Sequence, residues 1–158
     1  MKFLNCVFYL MAVGVIGFFA GRGIPKSWLK PNKGIFRCRL YENEGKLYER
    51  IGIKKWQKKV PDMSRILPFM MPPKNLQGDY QSRLSVMILE TCKAELTHVV
   101  LCVIGLPVLK LIPGKGGMIV YLLYVAVFNL PYILIQRYNR PRLIRLYEKQ
   151  KQKECIMA

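Results

Sequence analysis

The residues best suited to acid–base chemistry are Glu95 and His98, which stand three positions apart. On an α-helix this spacing places both side chains on one face. A carboxylate beside an imidazole orients the ring and raises its basicity, which suits a general base that takes a proton from a hydroxyl group. His98 is the single histidine of the chain, so metal sites built from several histidines are excluded. The alternative is an interfacial histidine whose ring is satisfied by a backbone carbonyl or a lipid headgroup.

A second polar group, QRYNRPRL, occupies positions 136–143. Its arginines can hold a phosphate or a carboxylate through paired hydrogen bonds, because the guanidinium group is planar. The alternative is an ordinary cluster of positive charge at the end of a membrane span, which would explain the arginines but not the asparagine, tyrosine and proline. The candidate substrate-binding residues are Glu90, Asn129, Arg137, Tyr138, Asn139 and Arg140.

The elements that must position these residues are membrane-spanning helices. Of the 158 residues 52% are hydrophobic, yet the net charge is +17, and the apolar and basic residues alternate in blocks along the chain. Three apolar runs, 3–20, 96–112 and 118–135, have about the length of 17–25 residues that a helix needs to cross a bilayer. The sequence therefore predicts an all-α integral membrane protein with about three spans.

The distribution of basic residues predicts the orientation of these spans. Of the 26 Lys and Arg residues, 16 lie between the first and second runs and 7 follow the third. The positive-inside rule then puts both regions in the cytoplasm and the N-terminus outside the cell membrane. A turn at Pro113–Gly117 joins the second and third runs into a hairpin. We therefore expect the Glu95/His98 pair and the 136–143 stretch to emerge at the same membrane face.

We expect one membrane domain that comprises all residues, 1–158. Within it, 22–95 is a basic amphipathic segment at the cytoplasmic surface, 96–135 is the helical hairpin and 136–158 is a basic tail. The apolar stretch 63–73 is too short to cross and is interrupted by prolines, which favours a position in the headgroup region or a re-entrant segment.

Three local patterns refine this organisation. The first run could be a secretory signal peptide, but Phe18 stands three positions before a cut after Ala20 and makes a poor cleavage site, so an uncleaved anchor is favoured. Residues 81–95 have the apolar spacing of a helix that continues into the second run. Asn129 and Pro131 could kink the third run and line a cavity.

Several other classes of site have no support in the sequence. The five cysteines are scattered and form no CxxC pair, which favours reduced thiols over a disulfide framework or a zinc site. No Walker loop, GxGxxG fingerprint or GxSxG elbow is present. The basic blocks flank apolar runs, so they indicate a membrane surface rather than nucleic acid as the partner.

The chain resembles the glycosyl-4,4′-diaponeurosporenoate acyltransferases of carotenoid biosynthesis. The sharpest similarities are ETxKAELxH at 90–98 and QRYNRPRL at 136–143, the latter preceded by Asn129-x-Pro131. Weaker similarities are Arg22-x-Ile24-Pro25, Gly45-Lys46, and Lys55-Trp56 followed by Lys59 and Asp62. The resemblance therefore extends over nearly the whole chain.

The resemblance implies an enzyme that esterifies a sugar hydroxyl of a membrane glycolipid with a fatty acyl group. In that reaction His98 would be the general base, Glu95 would orient it, and Arg137, Asn139 or Arg140 would supply hydrogen-bond donors for the oxyanion. The acyl donor would be acyl-CoA or an acyl-carrier protein, with no cofactor or metal. The acceptor would be a glycosylated lipid, a carotenoid glycoside by this resemblance.

Other functions remain open at this point. Another glycolipid would fit the same chemistry as acceptor, because 63–78 departs from the family pattern. A non-enzymatic membrane scaffold or accessory protein would use the arginines only to anchor its tail to anionic lipid. A lipid methyltransferase or reductase would need a nucleotide pocket that has no signature here. The sequence does not define the oligomeric state.

Overall fold

The computed structural model describes residues 2–61 and 80–157. Its main helices are α1 (Lys2–Arg22), α4 (Tyr80–Ile104), α6 (Lys115–Leu123) and α7 (Leu130–Met157). Shorter helices are α2 (Lys46–Arg50), α3 (Ile53–Trp56) and α5 (Val108–Leu111), and a π-helical segment, Tyr124–Asn129, joins α6 to α7. The apolar stretch 63–73 lies outside the described residues.

The predicted all-α membrane fold is confirmed. Three helical stretches are long and apolar enough to cross a membrane: Lys2–Arg22, Tyr80–Leu111 and Lys115–Ile156. The last two extend beyond the predicted spans, because the backbone hydrogen bonds of a helix continue where the side chains become polar. The described residues contain no strand.

The chain forms two compact units, each assembled from distant parts of the sequence. The first unit comprises Met1–Leu29 and Cys92–Gln136, and the second comprises Lys30–Thr91 and Arg137–Ala158. The prediction of one domain over 1–158 stays a prediction.

In the first unit, α4 ends where Gly105, Leu106 and Pro107 interrupt its hydrogen bonding. Proline has no N–H, and the backbone switches to shorter-range bonds such as Leu106 N–H to Val103 O at 3.1 Å. Carbonyl groups at the end of α4 therefore lose their usual donors.

Tyrosine hydroxyl groups donate hydrogen bonds to those carbonyls instead. Tyr9 of α1 donates to the carbonyl of Ile104 at 2.6 Å. Tyr121 of α6 donates to the carbonyl of Cys102 at 3.1 Å. Because a bilayer offers no water to such groups, these bonds make the break in α4 tolerable inside a membrane.

The π-helical segment Tyr124–Asn129 ends two residues before Pro131, where the sequence predicts a kink. A proline ring clashes with the carbonyl four residues earlier in an α-helix, and a wider turn relieves this clash. The backbone N–H of Leu130 accordingly donates to Val125, five residues back.

Helix α1 packs closely on the Cys92–Ile104 part of α4 through glycine. A Cβ atom added at Gly17 would stand 2.6 Å from Cδ2 of Leu101, whereas one added at Gly14 would meet nothing within 4 Å. Leu101 is 7% exposed, so it has little room to move. Gly17 therefore marks the contact and Gly14 a face of α1 that is open.

We expect Gly17→Leu to destabilise the full-length protein in detergent by about 1–3 kcal/mol, the usual cost of overfilling a packed contact. Gly14→Leu is the matched control and should stay within about 0.5 kcal/mol of wild type. Thermal unfolding followed by circular dichroism measures both. Equal losses in the two variants would contradict the assigned packing face.

Candidate active site

His98 lies on α4 with its ring held by two residues of the third span. Its Nδ1 is 3.1 Å from Oδ1 of Asn129. Its ring stacks on that of Tyr132, with the centroids 4.5 Å apart and the planes at 8°. The hydrogen bond and the stacked ring together fix the orientation of the imidazole.

The Asn129 amide determines which nitrogen of His98 carries the proton. Its Nδ2 donates to the carbonyl of Tyr124 at 3.2 Å, so Oδ1 is the atom that faces the histidine. An amide oxygen can only accept a hydrogen bond, and Nδ1 of His98 must therefore be the donor. In the neutral ring, Nε2 is then the nitrogen with a lone pair that can take a proton.

Glu95 lies one turn before His98 on α4 and is 3% exposed. The His98 ring contacts Asn129 and Tyr132, and the residue that orients Nδ1 is Asn129. The sequence instead predicts Asn129 as a substrate-binding residue and Glu95 as the residue that orients His98. The catalytic roles of Glu95 and His98 stay predictions.

In the second unit, Arg137 is locked onto the buried carboxylate of Glu42. Nε of Arg137 lies 2.6 Å from Oε1 of Glu42, and Nη2 lies 3.0 Å from Oε2. Nη1 of the same guanidinium donates to the carbonyl of Ile35 at 3.0 Å. This paired geometry is the strongest form of an arginine–carboxylate contact.

Two further groups donate hydrogen bonds to Glu42, which is 1% exposed. Tyr48 donates its hydroxyl to Oε1, and the backbone N–H of Arg39 donates to Oε2 at 2.5 Å. Burial alone would raise the pKa of Glu42, but the bonds from Arg137, Tyr48 and Arg39 outweigh it and lower the pKa to about 2. The carboxylate is therefore charged at neutral pH and holds Arg137, Tyr48 and Arg39 together.

Arg140 and Tyr138 are also engaged by the protein. Arg140 is 2% exposed and donates to Oγ1 of Thr91 at 2.9 Å and to the carbonyl of Phe36 at 2.8 Å. Tyr138 is fully buried, and its hydroxyl donates to Glu49 at 3.2 Å. These side chains attach the 30–59 loop region to α7.

Asn139 differs from its neighbours. It is half-buried, and its side chain makes no hydrogen bond to the part of the chain that the structure describes. The role of Asn139 in binding a substrate stays a prediction. Glu90, half-buried on α4, lies in the second unit as well.

A small cavity of about 30 Å³ lies between the loop and α7, bordered by Cys38, Glu42, Arg137 and Arg140. Its volume is that of a water site rather than a substrate pocket. Burial raises the pKa of the Cys38 thiol, and the negative charge of Glu42 raises it further. A thiol with a raised pKa is a poor nucleophile, so Cys38 is not suited to carry an acyl group.

The structure thus divides the predicted site residues into two sets. Glu95, His98 and Asn129 lie in the first unit, and Glu90, Arg137, Tyr138, Asn139 and Arg140 lie in the second. That the two sets act as one site stays a prediction. Sequence reasoning missed Glu42, although a signal existed: Glu42, Glu44 and Glu49 concentrate a third of the nine acidic residues in one short stretch of a basic segment.

We expect Glu42→Gln to destabilise the protein by about 3 kcal/mol at neutral pH, because the half-buried guanidinium of Arg137 would lose the carboxylate that accepts its paired hydrogen bonds. The pKa of Glu42 lies near 2 in the folded protein against 4.5 as its ordinary value. Its contribution is therefore fully present above pH 4.5 and is lost as the pH falls towards 2. The thermal stability of the wild type should fall over that window, and the thermal stability of Glu42→Gln should fall less.

Glu44→Gln is the matched control, because the Glu44–Arg145 ion pair is exposed. Exposed pairs contribute only about 0–1 kcal/mol, so this variant should unfold nearly as the wild type does. If Glu44→Gln were as destabilised as Glu42→Gln, the buried Glu42–Arg137 pair would not be what holds the loop region to α7.

Comparison with known proteins supplies the family. The sequence profile of the glycosyl-4,4′-diaponeurosporenoate acyltransferases matches residues 25–149. A protein of that name from Staphylococcus aureus strain Newman is 30% identical over 152 residues, which cover 94% of this chain and 89% of the relative. A second, from strain COL, is 30% identical over 145 residues, which cover 89% of this chain and 85% of the relative.

No solved structure matches the chain. The sequence profile covers most of the residues, including both polar groups from which the resemblance was drawn. The chain therefore belongs to the glycosyl-4,4′-diaponeurosporenoate acyltransferase family.

Proposed function

We propose that the chain is a membrane O-acyltransferase that esterifies a sugar hydroxyl of a glycosylated lipid with a fatty acyl group, with His98 as the general base. The names of the family and of its Staphylococcus aureus members give the acceptor class, a carotenoid glycoside. The observation that supports the role of His98 is the hydrogen bond from its Nδ1 to Asn129, because it leaves Nε2 ready to accept a proton.

The proposed reaction needs one proton carrier. As the sugar oxygen attacks the thioester carbonyl of the donor, its proton passes to Nε2 of His98. The C–O bond forms, the C–S bond breaks, and the departing thiolate takes the proton back from the imidazolium. Acyl-CoA or an acyl-carrier protein is the donor in this proposal, and no cofactor takes part.

Asn129 supports both protonation states of His98 in this scheme. Its oxygen holds the proton on Nδ1 in the resting state and stabilises the positive ring that forms during transfer. Glu95, buried one turn away on the same helix, is the second residue assigned to position His98 in this proposal. His98 is the catalytic residue of the proposal, and Asn129 and Glu95 position it.

The other binding candidates are assigned according to the hydrogen bonds that their side chains already make within the protein. Asn139 is the preferred contact to substrate in the second unit, whereas Arg137, Tyr138 and Arg140 mainly shape the surface around it. Glu90 retains a substrate-binding role as a hypothesis. Under the positive-inside rule, we expect this reaction at the cytoplasmic face of the cell membrane, with the N-terminus outside.

The proposal is tested with the full-length chain reconstituted in liposomes, supplied with a carotenoid glycoside and a labelled fatty acyl thioester. We expect the wild type to form the acylated glycoside, and His98→Ala to lower kcat by about 10²–10⁴-fold, the usual contribution of a general base. Val103→Ala, at a position that is 60% exposed on the same helix, is the control and should match the wild type.

Three other results would change the assignment. Equal product from His98→Ala and the wild type would remove His98 from the mechanism. Product with a different glycolipid alone would reassign the acceptor. No product with either an acyl-CoA or an acyl-carrier protein as donor would contradict the acyltransferase proposal and favour a non-enzymatic membrane protein.

A further inference from the structure

We propose that Gly105 and Tyr124 are positioning residues for His98, and that their contact holds the π-helical segment in the place from which Asn129 reaches the histidine. The catalytic consequence rests on the proposed function. The structural part, control of the His98 tautomer, can be measured without any activity.

Helix α4 and the π-helical segment contact each other at two points. At one point α4 meets the π-helical segment through His98 and Asn129. At the other, the hydroxyl of Tyr124 donates to the carbonyl of Leu101 at 3.4 Å, and the Tyr124 ring lies against Gly105. Tyr124 and Asn129 are the first and last residues of the segment, so the two contacts fix both of its ends.

A direct bond links these two ends. The carbonyl of Tyr124 accepts a hydrogen bond from Nδ2 of Asn129 at 3.2 Å. In an α-helix that carbonyl would accept the N–H of the residue four positions later, whereas the wider turn makes it accessible to the asparagine side chain. A shift of Tyr124 would therefore move the atom that orients the Asn129 amide.

Gly105 is the residue that permits the position of Tyr124. A Cβ atom at Gly105 would stand 2.7 Å from Cε1 and 3.1 Å from Cδ1 of the Tyr124 ring. Tyr124 is 7% exposed, so its ring has little space into which to retreat. Any larger residue at position 105 must displace the ring or the helix that carries it.

The displacement of Tyr124 is large enough to break the hydrogen bond between Asn129 and His98. Relaxing the contact from 2.7 Å to an ordinary separation of 3.4 Å requires a movement of about 0.7 Å. The same movement at Asn129 would lengthen its 3.1 Å contact with His98 to about 3.8 Å, beyond hydrogen-bonding distance. The His98 ring would then lose the interaction that selects the Nδ1–H tautomer.

A simpler role for Tyr124 is to cap a carbonyl of α4 and fill space, as Tyr9 and Tyr121 do. Under that role Gly105→Ala would reduce stability and leave the imidazole unchanged. Tautomer state and stability are thus separate readouts, and only the proposed role connects Gly105 to the protonation of His98.

His98 is the single histidine of the chain, so isotope-labelled histidine gives the nitrogen NMR signals of one imidazole. We expect one dominant tautomer, protonated at Nδ1, in the wild type at a pH where the ring is neutral. Gly105→Ala should give a mixture of tautomers and lower kcat by up to about 100-fold with little change in KM, as a misplacement of roughly 1 Å can do.

Gly14→Ala is the matched control, because its added Cβ would meet nothing within 4 Å; it should keep the wild-type spectrum and activity. If Gly105→Ala fails to fold, Tyr124→Leu provides the second variant and should also give a mixture. A folded Gly105→Ala or Tyr124→Leu protein that retains the single Nδ1–H tautomer would overturn the proposal. A mixture in these variants, with a wild type inactive towards every acceptor, would support the positioning role and contradict the proposed acyltransferase instead.

Discussion

Inside a bilayer every backbone N–H and C=O group must find its partner within the protein, and this constraint governs the first unit. Its spanning helices contain two prolines that violate the constraint, Pro107 and Pro131. At Pro107 the helix breaks, and tyrosine hydroxyl groups from α1 and α6 satisfy the exposed carbonyls. At Pro131 the preceding turn widens into a π-helix. The widened turn before Pro131 brings the side chain of Asn129 to His98, the one histidine of the chain.

The second unit meets a different requirement, which is to attach a basic loop to a basic helix. Cations repel one another, so the attachment depends on a buried carboxylate that both sides share. Glu42 accepts hydrogen bonds from Arg39 and Tyr48 in the loop region and from Arg137 on α7. Most of the other Lys and Arg side chains in the loop region are exposed, where they can serve topology and lipid contact.

The extent of sequence prediction differs between these two units for a physical reason. Hydrophobic runs report the local environment of the chain, so the three spans and the irregular helix near Pro131 could be predicted. The break at Pro107 could also have been inferred, since proline removes a helical hydrogen bond at any depth. That Asn129 rather than Glu95 reaches Nδ1 of His98 could not, because this depends on the rotation of one helix against another.

The arginines of 136–143 also show that contacts between distant residues cannot be predicted from local patterns. Their chemistry suits phosphate and carboxylate ligands equally, and sequence patterns cannot distinguish a substrate from a carboxylate of the protein. Glu42 lies 95 residues from Arg137, and no local periodicity connects them. The structure shows that Arg137 contacts a carboxylate of the protein itself, and the substrate-binding role of the cluster stays a prediction.

In the proposed reaction, Nε2 of His98 meets the hydroxyl group of the acyl acceptor. The most direct measurement is nitrogen NMR of the isotope-labelled histidine in the wild-type protein during titration with a carotenoid glycoside, and separately with the same carotenoid lacking its sugar. The account predicts that the glycoside shifts the Nε2 resonance while Nδ1 keeps its proton, and that the sugar-free compound causes no such shift. Identical responses to both compounds, or no response to the glycoside at saturation, would contradict it.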